Sequence, residues 1–341
     1  MKDGRKVTLD HVAELARVSR ATASRALTAN PRVSPEARRA VERASRTLGY
    51  IPNHAARALA TGRSDAIALV VFELTSQLFG DPFFPRLIRG IEDVLASREM
   101  QLVLLAPQST SDTDRLERYL AAGHIDGVVL VSLHGYHPLP GMLAERGVPF
   151  VIGGRPAEPD LHSYVDVDNV GGAFAATAHL TSAGRRTIAT IGGPLDMPAG
   201  QDRLAGYRTA LVAAGVAPDP ALEESADFTQ DAGARAMHQL LRRRPGLDAV
   251  FAASDLMAVG ALKSLAEAGR RVPEDVAVVG YDDDPVAAVT TPPLSSVWQP
   301  IEEMGRELAR LLLEPDHAPR RVLLATELRV RRSSTSAHQV A

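Results

Sequence analysis

Cysteine is absent from this 341-residue sequence, and tryptophan occurs only once. Without cysteine the chain can have no disulfide framework, no thiolate nucleophile and no cysteine-ligated metal site. No apolar run reaches the ~18 residues that would span a membrane, and the first ten residues lack the apolar core of a signal peptide. We therefore expect a cytoplasmic protein without membrane association, and we expect no metal ion or cofactor.

Length and charge distribution indicate more than one domain. A chain of 341 residues exceeds one ordinary hydrophobic core, so two or three domains are expected. Residues 1–62 contain 12 Lys and Arg against 5 Asp and Glu, a net charge of +7, whereas the remainder carries −10. A basic head on an acidic body suits a polyanion bound at one end only. The alternative is an ordinary solvated charge face.

Three short helical patterns occupy residues 7–49. The first places apolar residues at i, i+3, i+4 and i+7, namely Leu9, Val12, Ala13 and Ala16. A second helix is predicted over residues 20–27 and a third after the cap-and-proline pair Ser34-Pro35, ending at Gly49. Two short helices joined by a tight turn and braced by a third indicate a helix-turn-helix unit for DNA.

The second helix supplies candidates for reading bases. A recognition helix reads with its N-terminal residues, and arginine can bond guanine through two atoms. The base-contact candidates are Arg20, Ala21 and Arg25. Short donors near helix starts suit phosphate oxygens; these candidates are Thr8, Ser19, Thr22, Ser24, Ser34 and Asn53. Helix capping is the alternative role for the hydroxyl side chains among them.

Residues 51–62 carry a separate prediction. Asn53 can cap a helix of seven or eight residues, which is too short to be stable alone in water. Such a segment is better explained as ordering on a partner. Leu59 would then act as an apolar wedge in the minor groove, with Ala56 allowing close approach. Burial of Leu59 against the body of the protein is the alternative.

From residue 63 strands and helices alternate, which predicts parallel sheets with helices on both faces. Two series of similar length predict two lobes: lobe 1 about 63–165 and 297–320, lobe 2 about 166–296 and 321–332, with a tail at 333–341. Strands are predicted at 66–72, 101–106, 127–132, 148–152, 164–167, 187–191, 249–253, 276–280 and 322–330. Helices are predicted at 83–97, 112–122, 170–183, 201–214, 231–243, 256–268 and 301–313, with a short one near residue 143.

Four segments carry a family resemblance: TLDHVAELARVS, TASRAL, VSPEARRAVERASRTLGYIPN and HAARALATG. They resemble the headpiece and hinge of the lactose-repressor (LacI/GalR) family of bacterial transcription regulators. The resemblance implies a DNA-binding headpiece at 1–50, a hinge helix at 51–62 and an effector-binding and dimerisation core at 63–332. It also implies a core fold shared with periplasmic binding proteins and places the family's wedge leucine on Leu59. The chain departs from the family at Arg17, where a small residue is common, and at Ala23, where valine is.

The same resemblance implies an effector site in the cleft between the lobes, where the carboxyl ends of parallel strands meet. The implied contacts are Phe83, Phe84, Asp168, Arg203, Phe228, Ser254 and Asp282. Trp298, the only tryptophan, is a further candidate because it lies where the lobes would be joined and its ring can stack on a ligand. Several have plainer alternatives: the phenylalanines as a core pair, Arg203 as a surface residue and Trp298 as packing between lobes. Asp283 and Asp284 are expected only to cap the next turn.

These observations predict a ligand-responsive repressor of carbohydrate-utilisation genes. A homodimer would bind a near-palindromic operator in double-stranded DNA and release it on binding a sugar or sugar phosphate. One alternative is a corepressor-dependent regulator that responds to a purine or another small metabolite, and a second is a transport-type sugar-binding protein. An enzyme is not expected, because no nucleophile or metal motif accompanies the aspartates. A tetramer is not expected either, because the tail has no leucine heptads.

Overall fold

A computed structural model describes residues 7–27, 32–50, 63–314 and 318–335. The chain divides into two compact units, Met1–Asp65 and Ala66–Ala341, which are described separately. No helix within the described ranges has the length and apolar character required to cross a membrane.

The first unit contains the three predicted helices: α1 (Leu9–Ala16), α2 (Arg20–Leu27) and α3 (Pro35–Leu48). Ser34 caps α3, since its hydroxyl oxygen accepts a hydrogen bond from the Ala37 N–H at 3.2 Å. The chain leaves α1 through Arg17, whose φ of 55° lies in the left-handed region, a conformation that costs a non-glycine residue energy. The core of the unit is made of small side chains: Val12, Ala13, Ala23, Ala26, Val33, Val41 and Ala44.

The first lobe of the second unit has a six-stranded sheet. Its strands are β1 (Ala66–Val71), β2 (Gln101–Leu105), β3 (Gly127–Val131), β4 (Phe150–Gly153), β5 (Tyr164–Val167) and β11 (Arg321–Leu324). The order is β11-β5-β4-β3-β1-β2, and every pair is parallel. Its helices are α4 (Thr75–Gly80), α5 (Phe83–Ala96), α6 (Thr110–Ala121), α7 (Leu139–Glu145) and α13 (Ile301–Leu313). Helices α5 and α13 cover one face, while α6 and α7 cover the other.

The second lobe repeats this design. Its strands are β6 (Ile188–Gly192), β7 (Glu223–Ser225), β8 (Ala249–Ala252), β9 (Ala277–Asp282), β10 (Ser295–Trp298) and β12 (Glu327–Arg329), in the order β12-β10-β9-β8-β6-β7. Only the pairing of β12 with β10 is antiparallel. Its helices are α8 (Asn169–Ser182), α9 (Pro198–Ala213), α10 (Gln230–Arg243), α11 (Asp255–Glu267) and α12 (Pro285–Val289). The two-lobed α/β fold predicted from the alternating pattern is confirmed.

The lobe boundaries differ from the expected ones at three places. Strand β5 belongs to the first sheet through residue 167, and β10 belongs to the second sheet through residue 298. The segment expected as one last strand, 322–330, forms two strands, because β11 pairs with β5 and β12 with β10. The chain therefore passes between the lobes after β5, after β10 and after β11.

The expected tail also begins later than residue 333. Ser333 and Ser334 are buried, and the Ser333 hydroxyl donates to the Val278 carbonyl oxygen at 2.6 Å while accepting from the Ser295 N–H at 2.7 Å. Their polarity suggested solvent, but the Ser333 hydroxyl pairs with backbone groups, and the Ser334 hydroxyl lies 2.6 Å from Ser295 Oγ and 2.8 Å from His179 Nε2. Such pairing makes burial of a polar side chain tolerable.

Glycines set the closest helix contacts in both lobes. A Cβ on Gly90 or Gly305 would overlap carbonyl oxygens across the α5–α13 contact. The α8–α9 and α10–α11 contacts use Gly206 and Gly260 in the same way. Three helix pairs therefore approach each other backbone to backbone.

We expect Gly305→Ala to lower the free energy of unfolding of the second unit by about 1–3 kcal/mol, because the added methyl group would overlap the Leu87 carbonyl oxygen. Gly141→Ala is the matched control, since it also lies in a helix but has open space around its Cβ position. That variant should be neutral or slightly stabilised. Urea unfolding of both variants measures the difference, and equal stabilities would contradict the close contact.

Candidate functional site

The predicted DNA-contact residues of the first unit lie on its surface. Arg20, Ala21, Ser24 and Arg25 are exposed on α2, whereas Ala23 and Ala26 of the same helix face the core. The Arg20 side chain is 72% exposed, and its Nε lies 3.4 Å from Asp10 Oδ1. Helix α2 thus presents an exposed polar face, while its apolar face packs in the core of the unit.

The hydroxyl candidates are partly engaged as helix caps. Ser19 Oγ accepts the Thr22 N–H at 3.1 Å and lies 2.8 Å from Thr22 Oγ1. Thr8 Oγ1 lies 3.3 Å from His11 Nδ1, and the Thr8 backbone N–H donates to the same ring nitrogen at 3.2 Å. Because the serine and threonine side chains at these helix starts are exposed or half-buried, capping leaves oxygen lone pairs accessible. The predicted contacts Asn53, Ala56 and Leu59 lie outside the described residues.

A cavity of about 350 Å³ lies between the carboxyl ends of the two sheets. Strand ends and the segments that follow them form part of its wall, as expected for parallel sheets that face each other, and helices supply the rest. From the first lobe the wall residues include Glu73, Asp81, Phe83, Phe84, Ser132, Gly153 and Asp166. From the second lobe they include Asn169, Met197, Arg203, Phe228, Ser254, Asp282 and Gln299.

Arg203 lines this cavity, and its contacts hold its side chain in place. Its side chain is 8% exposed, and its Nη1 donates to the Ala253 carbonyl oxygen at 2.6 Å while its Nε donates to Asn169 Oδ1 at 2.8 Å. The guanidinium carbon lies 3.7 Å from the centre of the Tyr281 ring. Because a buried charge needs partners on every side, these contacts leave Arg203 a single orientation. The alternative of a solvated surface arginine is wrong.

Asp282 lies next to Arg203 in the same wall of the cavity. Its Oδ1 lies 3.6 Å from Arg203 Nη1 and accepts a hydrogen bond from Gln299 Nε2 at 2.5 Å. Its φ of 104° is costly for a residue with a side chain, and such conformations concentrate at ligand sites. Burial raises the pKa of the Asp282 carboxyl well above its usual range, and the charge of Arg203 opposes that rise.

Two further aspartates hold the segment that contains Asp282. Asp255 is fully buried and accepts hydrogen bonds from the Asp284 N–H at 2.7 Å and the Ser296 hydroxyl at 2.6 Å. Burial raises the pKa of Asp255 well above its usual range. Asp284 reaches Arg86 of the first lobe at 3.3 Å. Its expected side-chain capping of the next turn is wrong, because α12 has no side-chain cap.

Asp283 also differs from its expected capping role. Its carboxylate lies 2.5 Å from Arg329 Nη1 and 2.6 Å from Arg331 Nη2, both near β12. The three consecutive aspartates therefore point to three different partners, and only Asp282 lines the cavity.

Phenylalanine rings supply the apolar part of the cavity. Phe83 and Phe84 meet edge to face with ring centres 5.3 Å apart, and both line the cavity. Phe84 is also part of the first lobe's core and Phe83 packs against it, so the core interpretation is confirmed, while effector contact by this pair stays a prediction. Phe228 lies across the cleft with its ring centre 5.8 Å from the Arg203 guanidinium.

Two predicted contacts do not line the cavity. Asp168 caps α8, because its Oδ1 accepts the Gly171 N–H at 2.8 Å. Trp298 is half-buried, and the Arg329 guanidinium lies 5.1 Å from its ring centre. This contact lies within the second lobe, so packing of Trp298 between the lobes stays a prediction. Trp298 lies at the end of β10 in the second sheet, where it pairs with Glu327 of β12.

Neighbours of the predicted residues line the cavity instead. Asp166 accepts hydrogen bonds from the Arg155 N–H at 3.0 Å and from Asn169 Nδ2 at 3.0 Å. A signal for Asp166 existed in the sequence, because it is a carboxylate inside a short apolar strand. Asp81 and Gln299 had weaker signals, since they flank helix α4 and strand β10, which the residue pattern did not reveal.

The lobes are joined across the cavity edges by side-chain contacts. Gln77 Nε2 donates to the Asp227 carbonyl oxygen at 3.0 Å, and Arg155 Nη2 reaches Asp202 Oδ1 at 2.7 Å. Among the residues that the structure describes, no group of three or more His, Asp or Glu side chains is placed to hold a metal ion. Hydroxyl recognition by carboxylates, amides and arginine is what this arrangement can perform.

Comparison with known proteins gives two family matches. Residues 8–53 match bacterial regulatory proteins of the lacI family, and residues 177–334 match a periplasmic binding protein-like domain. The transcriptional regulator CelR of Thermobifida fusca is 52% identical over 98% of this chain and 100% of its own length. The transcriptional repressor CytR of Escherichia coli is 36% identical over 90% of this chain and 89% of its own length.

Solved structures agree with these matches. A complex of the transcriptional regulator CelR with cellobiose has a TM-score of 0.78 at 50% identity, covering 96% of this chain and 99% of that one. A lac repressor dimer bound to operator and the anti-inducer ONPF has a TM-score of 0.87 at 25% identity, covering 97% of this chain and 100% of that one. Both matches extend over the headpiece and the two-lobed core.

We expect Asp81→Asn to stabilise the second unit at pH 7.5 by ~3 kcal/mol at most. Burial raises the pKa of Asp81 to about 6, and the nearby Asp284 and Glu73 charges add to that rise. The folded chain therefore holds this proton more tightly than the unfolded chain. Stability falls as the pH rises from about 4 to 6, and each pKa unit is worth ~1.4 kcal/mol.

Urea unfolding at pH 4 and pH 7.5 measures this difference. The gain should be present at pH 7.5 and be mostly lost at pH 4, where Asp81 is protonated in the folded chain and close to its ordinary pKa of 3.8 in the unfolded chain. Asp114→Asn, an exposed carboxylate on α6, is the control and should change little at either pH. An equal gain for Asp81→Asn at both pH values would contradict the burial penalty.

Proposed function

The chain belongs to the lacI family of bacterial regulatory proteins, and we propose that it is a dimeric repressor that releases its operator when a sugar of the cellobiose class enters the cavity. As a member of this family it is a DNA-binding transcription regulator. The observation that carries the proposal is the pairing of the buried Arg203 with Asp282 in a cleft between two lobes of a chain that also has a helix-turn-helix unit.

The chemistry of the cavity favours a carbohydrate. Sugar hydroxyls both donate and accept, which suits a wall that offers Asp282, Arg203 and Asn169 together. The C–H faces of sugar rings suit the phenylalanine rings on opposite sides of the cleft. A cavity of about 350 Å³ is within the range of small-molecule sites. Because a similar regulator, CelR, is solved with cellobiose, we infer the same class of ligand here.

The first unit would bind DNA through α2. Its exposed Arg20 and Arg25 suit base edges in the major groove, and the net charge of +7 over residues 1–62 suits phosphates. Leu59 is proposed as the minor-groove wedge, with Ala56 and Asn53 beside it. A dimer would place two such units on a near-palindromic operator. The similarity to a lac repressor dimer on its operator supports this assembly.

An exposed sheet edge supports a dimer independently. Strand β2 is the outer strand of the first sheet, and its Leu104 is partly exposed. Proteins usually cover such edges, because unpaired backbone groups invite another chain. We infer that a second copy covers this part of the first lobe.

Coupling between the sites follows from the two lobes. A sugar that contacts both walls binds the closed cleft more tightly than an open one, so it shifts the population toward closure. We propose that closure separates the two hinge segments of a dimer and weakens operator binding. Couplings of this kind are about 1–3 kcal/mol, or roughly 5–150-fold in affinity. A corepressor would give the opposite sign in the same measurement.

Catalysis and transport are the weaker interpretations. The similar proteins named above are transcription regulators, and the aspartates near the cavity are held by arginine, amide and backbone partners rather than by a water-activating group. A transport protein would have no use for the helix-turn-helix unit. We therefore propose a non-enzymatic regulator that acts in the cytoplasm, where its DNA target lies.

Selection of bound DNA from a random pool, with and without cellobiose, tests the proposal. We expect a near-palindromic sequence to be enriched and its binding to weaken when cellobiose is added. Arg203→Ala should keep operator affinity but lose the response, because it removes the group that orders the cavity. Arg208→Ala, on the same helix and paired with Glu223 at the surface, is the matched control and should respond normally.

Other ligands in the same assay decide between the alternatives. If a purine or another metabolite tightens operator binding, the effector is a corepressor and not the proposed inducer. A full response of Arg203→Ala to cellobiose would show that the ligand site is misassigned.

We expect Arg20→Ala to weaken binding to the selected operator by about 1–3 kcal/mol and to relax the preference at one base position, as for loss of a two-atom contact to guanine. Arg43→Ala, an exposed arginine on α3, is the control for the loss of one positive charge. Fluorescence anisotropy with the selected and a scrambled duplex measures both effects. Equal losses on the two duplexes would make Arg20 a phosphate contact instead.

A further inference from the structure

One histidine bridges the two lobes at the edge of the cavity. His134 follows β3 in the first lobe, and its Nδ1 lies 3.0 Å from Asp196 Oδ2 in the second lobe. Its Nε2 lies 3.4 Å from Oε1 of Glu73, which belongs to the first lobe. The Gly135 N–H also donates to the Asp196 carbonyl oxygen at 2.8 Å. Both the ring and the backbone of this loop therefore contact the opposite lobe.

This bridge connects two walls of the cavity. Glu73 is itself a wall residue on the first lobe, and Met197, which follows Asp196, is a wall residue on the second. The loop that carries Asp196 packs closely on the start of α9, because a Cβ on Gly200 would overlap the Pro194 carbonyl oxygen. The His134 bridge therefore ends on segments that also contribute residues to the cavity wall.

His134 differs chemically from the other bridges between the lobes. The Arg155–Asp202 and Arg86–Asp284 pairs use guanidinium groups, which stay charged at every ordinary pH, and the Gln77 amide does not titrate. Among these four bridges, only the one made by His134 has a cation that can lose its proton near neutral pH.

The charged groups that face the His134 ring are both acidic. Glu73 approaches from the segment after β1 and Asp196 from the loop after β6. The hydrogen bond to Glu73 is the largest cause that raises the pKa of His134 to about 9, and Asp196 adds to it against the opposing effect of burial. The protonated ring can donate to both carboxylates at once, whereas the neutral ring can donate to only one.

We propose that His134 is a positioning residue of the effector cavity, whose protonated ring holds the two walls together so that closure over the effector takes up a proton. This inference rests on the proposed function, because it assigns a regulation to the same cavity. The physical cause is that opening the cleft removes Asp196 from the ring while Glu73 stays beside it.

The direction of the pH dependence follows from linkage. With Asp196 withdrawn, the pKa of His134 in the open cleft is lower than the value of about 9 that it has with both carboxylates beside the ring, because one of the two groups that raise it has gone. The contribution of the bridge to closure is complete below the open-cleft pKa and is lost as the pH rises through about 9. Each unit of difference between the two pKa values changes the closure equilibrium about tenfold.

An NMR titration of ¹³Cε1-labelled histidines in the full-length protein tests the bridge without any effector. The His134 signal, assigned by its loss in His134→Gln, should titrate far above 6.5 in the wild-type chain. Asp196→Asn should lower that pKa, because it removes the carboxylate of the opposite lobe. An ordinary pKa in the wild-type chain, or an unchanged one in Asp196→Asn, would overturn the proposal.

Calorimetry with cellobiose tests the link to the cavity. At pH 8, binding to the wild-type chain should take up a fraction of a proton, seen as a heat that varies with the ionisation enthalpy of the buffer. His134→Gln should bind cellobiose up to about tenfold more weakly, with no proton uptake and no weakening between pH 7 and 9.5. Equal proton uptake by wild type and variant would overturn the proposal.

His238→Gln is the matched control. His238 Nε2 lies 3.4 Å from Glu267 Oε2, a similar pair, but both residues belong to the second lobe. Its substitution should leave cellobiose affinity and proton uptake unchanged. If cellobiose does not bind at all, the proposed sugar class is wrong, while the NMR titration still decides whether His134 joins the lobes.

Discussion

Burial of the Arg203 guanidinium is the constraint on which the cavity depends. A charge withdrawn from water must be fully paired, and here the partners come from separate elements: the end of β8, the start of α8 and the end of β9. Each partner is thereby fixed relative to the others. The same contacts place Asp282, Asn169 and the Tyr281 ring around one point, so the polar wall of the cavity is set before any ligand arrives.

The path of the chain places this wall in a cavity between the two lobes. Three passages of the backbone join the lobes, and the remaining contacts across the cleft are side chains such as Arg155 and Gln77. Each sheet is closely covered by helices that meet through glycines, so each lobe is stiff by itself. Stiff lobes joined by few segments convert small changes at the cleft into rigid-body movement, the property that a ligand-controlled DNA-binding protein needs.

The sequence predicted the elements better than the side-chain positions. Helix α13 and strand β5 were predicted with the observed bounds, because strong periodicity and clear end signals coincide there. Strand β10 has the sequence SSVW, and its buried serines hid it from an apolar pattern. Of the eight expected effector contacts, Asp168 and Trp298 do not line the cavity. Asp166 and Gln299, which are near neighbours of these two residues in the sequence, line the cavity instead.

The amino-acid sequence by itself determined the helix-turn-helix unit, the alternation that builds two parallel sheets, the basic head and acidic body, and the family. These features depend on local spacing and composition, which a sequence displays directly. Only the tertiary structure decided which lobe β11 and β12 join, which of three consecutive aspartates faces the cavity, and that His134 meets Asp196. Those contacts join residues far apart in the chain, for example 62 positions for the histidine pair, so they depend on how whole elements pack. Local periodicity contains no information about that packing.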